Sequence, residues 1–313
     1  MKQQVIKKNN TEQIVGMLFA SIPLIGFIIF GLLPLIFSLI MSFSNVPSFN
    51  LKDMELYSFD SLFNNYKAIF SDEKFALAIK NTLLAMISLP ISMILGLILA
   101  VILNQNIKGK RIFRTIFFIP YVCSIVALTL MWRTMLNKNY GIINQFLSVF
   151  GIEPIAWLTD PNYFMLGMII MIVWCNTGFS LILYSAALTS INPSIYEAAD
   201  MDGATSKRKF FKITLPLLSP TTFYLLIVGI ISSLQEFTRF QAINAVNSNI
   251  ISPTGPNDTG LTIVFYLYNK AFSESGALGE AAAIGWVLAI VTMILTAINF
   301  FVSKRWVYSS EKR

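Results

Sequence analysis

Apolar residues run along this chain in six blocks separated by polar segments. Each block is about as long as a helix that crosses a bilayer core, roughly 20 residues. The first covers 14–43 and is interrupted by Pro23 and Pro34. The second covers 82–103 with Pro90 inside, and the third covers 112–136 with Pro120 inside. The fourth is 163–188, the fifth is 221–243 and polar in its second half, and the sixth is 281–302. Proline is tolerated in such helices because neighbouring helices and local kinks re-satisfy the freed backbone groups. The pattern predicts an all-α polytopic membrane protein with six transmembrane helices. Its membrane domain spans 14–303, flanked by segments 1–13 and 304–313. Lys2, Lys7 and Lys8 resemble the basic start of a signal peptide. The apolar run behind them is too long for one, and 43–47 is a poor cleavage site, so a retained helix is expected.

Composition sharpens this picture. Of 313 residues, 55% are apolar and 12% charged, and the mean hydropathy is +0.67. Soluble domains carry roughly 25% charge, so too little polar surface exists to cover a water-soluble globule. There is no histidine, which removes the commonest general base and metal ligand. Cys123 and Cys175 both lie in apolar runs without CxxC spacing, so they read as packing residues rather than a zinc site or disulfide.

The net charge of +7 would suit nucleic acid in a soluble protein. Here its distribution gives another meaning. Lys2, Lys7 and Lys8 precede the first block; Lys108, Lys110, Arg111 and Arg114 lie between the second and third. Lys207, Arg208, Lys209 and Lys212 lie between the fourth and fifth, and Lys304, Arg305, Lys312 and Arg313 follow the sixth. With six spans all four segments face one side, which the positive-inside rule makes cytoplasmic. Both termini are therefore expected in the cytoplasm. The opposite side holds loops 44–80, 137–162 and 244–280, long enough to suggest a role of their own. Ser48, Phe49, Trp157 and Tyr163 would suit interfacial or docking surfaces there. Asp160-Pro161-Asn162 should cap the fourth helix, and 252–260 is a dense turn cluster.

The segment between the fourth and fifth blocks carries the most information. Asn192 is a good N-cap and Pro193 a good first helical residue. Ile195, Tyr196, Ala198 and Ala199 form an apolar stripe, and Asp202-Gly203 should end this short helix. Thr205 or Ser206 can cap a second helix carrying Phe210, Phe211, Thr214 and Leu215, with Pro216 breaking it before the fifth span. Two short helices joined by a glycine turn are predicted. Small residues at Ala198, Ala199, Gly203 and Ala204 would let another protein approach closely; packing of the loop on its own helix ends is an equal alternative.

Glu197-Ala198-Ala199, then Gly203, then Ile213 and Leu215-Pro216, match the spacing of the EAA motif. The chain thereby resembles the membrane subunits of binding-protein-dependent ABC importers. Arg114-Thr115-Ile116-Phe117-Phe118-Ile119-Pro120 is similar to the carbohydrate-uptake branch of that family. So are Tyr266-Leu267-Tyr268-Asn269-Lys270-Ala271-Phe272 and Gly279-Glu280-Ala281-Ala282-Ala283. The resemblance is closest to the larger maltose-transporter permease in six-span form. Pro253-Thr254-Gly255-Pro256 and the stretch 244–251 depart from it.

The resemblance implies a transport subunit of the cell membrane, not an enzyme. Its partners would be a second, different permease chain, an ABC ATPase dimer and an external solute-binding protein. Loop 192–216 would couple to the ATPase through Glu197, Ala198, Ala199, Asp202, Gly203, Ala204, Ile213, Leu215 and Pro216. The chain has no Gly-x-x-x-x-Gly-Lys-Ser/Thr loop, so no cofactor is expected here; ATP and magnesium would sit on the partner.

Polar groups that interrupt membrane helices mark candidate pathways. Trp174 and Asn176 in the fourth block, and Ser233, Gln235 and Glu236 in the fifth, offer the amides, carboxylate and aromatic face that a carbohydrate needs. Interhelical hydrogen bonding is the competing role for such residues. Gly229, Gly279 and Gly285 read as close-packing sites. No cluster of Lys or Arg lies within the spans, which argues against an anionic cargo. A secondary transporter would hold charged relays and inverted repeats. Only Glu236 lies well inside a span, and no self-similar halves are visible. A membrane enzyme would lack a nucleophile–base pair.

Overall fold

The computed structural model describes residues 10–46, 52, 54–105, 107–245, 253–272 and 277–308. Lys2, Lys7, Lys8, Ser48, Phe49, Ser252, Lys312, Arg313 and most of 244–251 lie outside the described residues. Helices α1 (Asn10–Phe27) and α2 (Leu33–Ser42) are joined by a π-turn. A small ribbon follows, of β1 (Ser44–Asn45) and β2 (Glu55–Leu56). Then come α3 (Asn64–Ser71), α4 (Glu73–Met86), α5 (Ser88–Asn104), α6 (Lys110–Val122), α7 (Ile125–Met135) and α8 (Ile142–Ser148). The chain continues with α9 (Pro161–Ser190), α10 (Pro193–Met201), α11 (Ser206–Lys209), α12 (Leu215–Leu217), α13 (Ser219–Leu234), α14 (Thr238–Ala245), α15 (Ile263–Phe272) and α16 (Leu278–Trp306).

Among the described residues four helices are long and apolar enough to cross a membrane: Ile14–Ser42, Glu73–Asn104, Pro161–Ser190 and Leu278–Trp306. Two bent pairs bring the number to six if each pair is one span. The first pair, α6 and α7, is bent by 103°. The predicted single helix over 112–136 is thus two helices, because Cys123 and Ser124 are extended and Pro120 removes a backbone donor from the last turn of α6. The second pair joins Ser206–Leu217 to α13 with a 57° bend. Here Pro220 cannot donate to the carbonyl of Pro216, and the Ser219 hydroxyl donates to it instead at 2.6 Å.

Two further boundaries differ from expectation. Pro216 does not break its helix: a π-turn over Phe210–Thr214 includes Lys212, whose carbonyl would have served the missing N–H. The same device surrounds Pro34, where the π-turn Ile28–Leu32 includes Phe30. Such turns absorb a lost i→i−4 bond without ending the helix. The fifth helix ends at Leu234, short of the predicted 243, and a new helix begins at Thr238. Gln235 and Glu236 sit in that break.

The chain forms two compact units. One comprises 1–69 and 270–286. Buried Asn65 donates to the carbonyls of Ser42 (3.0 Å) and Ser44 (2.9 Å), and Tyr66 donates to the Ser42 hydroxyl. Lys270 pairs with Glu280 at 2.7 Å, and the Trp286 indole donates to Ser38. A Cβ on Gly279 would lie 2.5 Å from the Ser44 carbonyl oxygen, so that glycine does serve close packing.

The other unit comprises 70–269 and 287–313. Its core is the pairing of α5 with α9, built from Leu89, Met93, Ala100, Leu103, Leu181, Tyr184, Leu188, Leu218 and Leu225. Lipid tails are as apolar as leucine, so close packing and interhelical hydrogen bonds hold such helices together. A Cβ on Gly96 would lie 2.4 Å from Ser180 Cβ, and one on Gly178 2.1 Å from the Phe117 carbonyl oxygen. Gly229 is filled over by Leu89. Tyr184 donates to the Thr222 hydroxyl at 3.2 Å.

Three polar residues order the loops of this unit. Asn81 donates to the carbonyls of Asp258 and Leu261, and Thr82 accepts from the Ile263 N–H, so α4 fixes the turn at 256–262. Asn144 is buried; its amide donates to the carbonyls of Asn137, Lys138 and Ile155 and its oxygen accepts from Ile155 N–H and Trp157 Nε1. Trp157, expected on a docking surface, is 6% exposed: its indole N–H is committed to Asn144 and its ring packs inside the loop. Tyr163 remains 40% exposed. The Asp160 side chain accepts from Asn162 N–H, capping α9 as the sequence suggests.

Candidate functional site

The hairpin at 192–217 is built by local chemistry. Asn192 accepts from Ser194 N–H at 3.1 Å and Pro193 opens α10. At the other end Gly203 adopts φ +69. Its N–H donates to the Asp200 carbonyl (3.0 Å) and the Ala204 N–H to the Ala199 carbonyl (2.9 Å). That bond pattern is a Schellman motif, which needs a left-handed residue at this position. Thr205, not Ser206, caps the second arm by accepting from Arg208 N–H. The arms are clasped by Tyr196 with Thr214 (2.9 Å) and by Lys209 with Asp200 (2.6 Å).

Within the hairpin Ala199 is buried, and Ala204, Ile213 and Pro216 are half-buried. Glu197, Ala198, Asp202 and Gly203 are exposed, as is Leu215. Met201 beside them is 90% exposed. The fold uses the first group to hold the arms together. It makes no such packing use of the second, which stays open to solvent.

A second site is a cavity of about 340 Å³ in the larger unit. Helices α4, α5, α6, α9 and α13 border it, and the break after α13 forms one wall. Ser88, Ser92, Asn176, Ser180, Ser232 and Ser233 supply small polar groups, and Tyr121 and Phe179 are stacked, 4.7 Å between centroids with rings 15° from parallel. Irregular backbone at membrane depth is tolerated where it lines such a cavity. The break is held from outside by Thr262, whose hydroxyl donates to the Glu236 carbonyl at 2.8 Å.

Glu236 and Arg239 form an ion pair across one turn, each side chain about one-eighth exposed (13% and 12%). Arg239 also approaches the Asn176 amide oxygen at 3.4 Å. Four of the five residues expected along a pathway, Asn176, Ser233, Gln235 and Glu236, are thereby brought to one cavity. Trp174 is not among its lining residues. It is 40% exposed and packs edge-on against Trp132 at 5.6 Å, because two positions along an α-helix turn a side chain by about 200°, to nearly the opposite face from Asn176.

Sequence reasoning did not find Arg239 as the partner of Glu236, nor the serines of α5 or the Tyr121–Phe179 stack. The i,i+3 spacing of Glu236 and Arg239 was a usable signal. The α5 serines carried none, since serine also back-bonds silently within helices.

These two sites can be set beside known proteins. Residues 92–308 match the family described as binding-protein-dependent transport system inner membrane component. The probable ABC transporter permease protein YesP of Bacillus subtilis (strain 168) is 34% identical over 315 residues, covering 99% of this chain and 96% of that protein. The lactose transport system permease protein LacF of Rhizobium radiobacter is 33% identical, covering 92% and 94%. Among solved structures, a bacterial ABC transporter involved in the import of the acidic polysaccharide alginate is similar with TM-score 0.78 and 29% identity, over 95% of this chain and 96% of that one. The chain therefore belongs to the binding-protein-dependent transport system inner membrane components, and is a multi-pass membrane subunit of the ABC importer class that carries translocation rather than catalysis.

Proposed function

We propose that this chain forms half of the translocation pathway for a sugar or oligosaccharide delivered by an external binding protein. It works as a six-span subunit with both termini in the cytoplasm of the cell membrane. A second permease chain supplies the other half, and a separate ABC ATPase dimer supplies the energy. The relatives support a carbohydrate cargo: their names give lactose, arabinooligosaccharides and diacetylchitobiose, and also sn-glycerol-3-phosphate.

The observation that carries this reading is the hairpin. Its motif residues Glu197, Ala198, Asp202 and Gly203 are exposed on a well-capped element, where they contribute little to the chain's own packing. Such a face suits a groove on the ATPase, with Glu197 offering a charge-assisted hydrogen bond. Ala199, Ala204, Ile213 and Pro216 keep the arms at a fixed spacing, and exposed Leu215 adds an apolar contact for the partner. ATP-driven closure of the partner would move the hairpin as a rigid body and bias the spans between two states. The cavity lined by Asn176, Ser233, Gln235 and Glu236 is then the substrate pathway, with Tyr121 and Phe179 as its aromatic wall. Trp174 packs against Trp132 instead and serves the contact of α9 with α7.

A mild-detergent pull-down of the tagged chain with mass spectrometry tests the assembly. An ATPase and a second six-span permease should co-purify. Recovery of the chain alone, still active in ATP-free proteoliposomes, would replace this reading with secondary transport. Gly203→Asp should abolish uptake while membrane insertion persists, and normal uptake by that variant would remove the coupling role.

A further inference from the structure

Among the described residues lining the cavity only two carry charge, Glu236 and Arg239, and they neutralise each other. The remaining polar lining consists of hydroxyls and amides. Arg239 has its guanidinium drawn toward Glu236 on one side and the Asn176 oxygen on the other. A guanidinium free in a low-dielectric cavity would be a strong seat for a carboxylate or phosphate. Here that seat is filled by the chain itself.

We propose that Glu236 sets the charge class of the cargo: by occupying Arg239 it makes the cavity one for neutral glycans and closed to sugar acids. An acidic sugar would have to displace a preformed, three-residue-spaced ion pair and leave the Glu236 carboxylate unpaired beside its own. Discrimination of this kind comes from a repulsive element as much as from an attractive one. Glu236 is thus a specificity residue, and Arg239 is held in reserve by it. This inference rests on the reading of the cavity as the substrate pathway.

The test uses the assembled permease–ATPase complex in nanodiscs without binding protein. Three trisaccharide probes are titrated: maltotriose (neutral), trigalacturonate (anionic) and triglucosamine (cationic). Wild type and the double variant E236Q/R239Q should bind trigalacturonate equally weakly. E236Q should bind it at least tenfold more tightly, because Arg239 is left as an uncompensated cation. R239Q should show the mirror effect, at least tenfold tighter binding of triglucosamine. R239Q carries the test if E236Q fails to assemble. Adding Ser233→Trp fills the cavity and should abolish either gain.

Equal trigalacturonate binding by wild type and E236Q, or equal triglucosamine binding by wild type and R239Q, would overturn the proposal. So would a gain that survives Ser233→Trp, since the anion would then sit elsewhere. The pathway reading fails by a different result. Ser233→Trp alone would leave unchanged the uptake of the sugar found on the co-purifying binding protein, whatever the charge variants do.

Discussion

At the scale of single residues, Asn144 illustrates how one polar side chain can order a whole connection. It satisfies three carbonyls, one backbone N–H and one indole N–H within residues 137–157. Leaving a buried polar group unpaired costs about 1–3 kcal/mol. Asn144→Ala should therefore lower the unfolding temperature of the purified chain, by an amount that Gln145→Ala, an exposed neighbour, does not approach. Gly203 is constrained differently. A Cβ there would meet nothing within 4 Å, so space is not the issue; the left-handed backbone is. Gly203→Val should cost about 1–2 kcal/mol and raise hydrogen exchange at the Ala204 amide roughly tenfold. Gly203→Asn should leave that amide close to wild type, because asparagine visits this conformation readily.

At the scale of elements, helix ends and helix crossings follow separate rules. Ends are decided by neighbours in sequence. Asn192 and Asp160 each accept a backbone N–H two residues on, and replacing either by alanine should cost about 1 kcal/mol, readable as earlier fraying in hydrogen exchange. Crossings are decided by residues far apart. Gly178 lies against the backbone carbonyl of Phe117, whereas Gly229 lies against the side chain of Leu89. A backbone carbonyl cannot yield without moving α6, so Gly178→Ala should cost about 1–3 kcal/mol and Gly229→Ala less, in thermal unfolding of the detergent-solubilised chain. The opposite order would mean that α6 is free to shift. The bends after Val122 and Leu217 also belong to this scale. Prolines make them available, and the surrounding hydroxyls and π-turns decide whether a helix stops, bends or continues.

At the scale of the whole molecule, the proposed topology puts the 192–217 hairpin and the 137–160 connection on opposite sides of the membrane. In a chain with Cys123 and Cys175 replaced by alanine, a single cysteine at Ser206 should react with a membrane-impermeant maleimide only from the cytoplasm. One at Asn139 should react only from outside. Both positions are exposed, so lack of reactivity cannot be blamed on burial. Labelling of both from the same side would remove the six-span arrangement and with it the assignment of the hairpin to the ATPase.

The periodic and local features were readable from sequence because they depend on residues a few positions apart. Four long apolar helices stand where the apolar blocks predict them, and the caps at Asn192, Thr205 and Asp160 and the turn at Gly203 are set by adjacent chemistry. The EAA spacing carried the family for the same reason. What sequence could not settle depends on contacts across the bundle. Pro216 was expected to stop a helix that continues, since the π-turn before it is visible only in the backbone. Trp157 was expected on a docking surface and is buried, since its indole finds Asn144 across the loop. Asn176 and Trp174 are two residues apart, yet only the packing of α9 on its neighbours decides that the first faces the cavity and the second does not. The i,i+3 spacing hinted at the pairing of Glu236 with Arg239, but only the break of the helix at 235–237 and the packing around it bring that pair and Asn176 to one cavity wall.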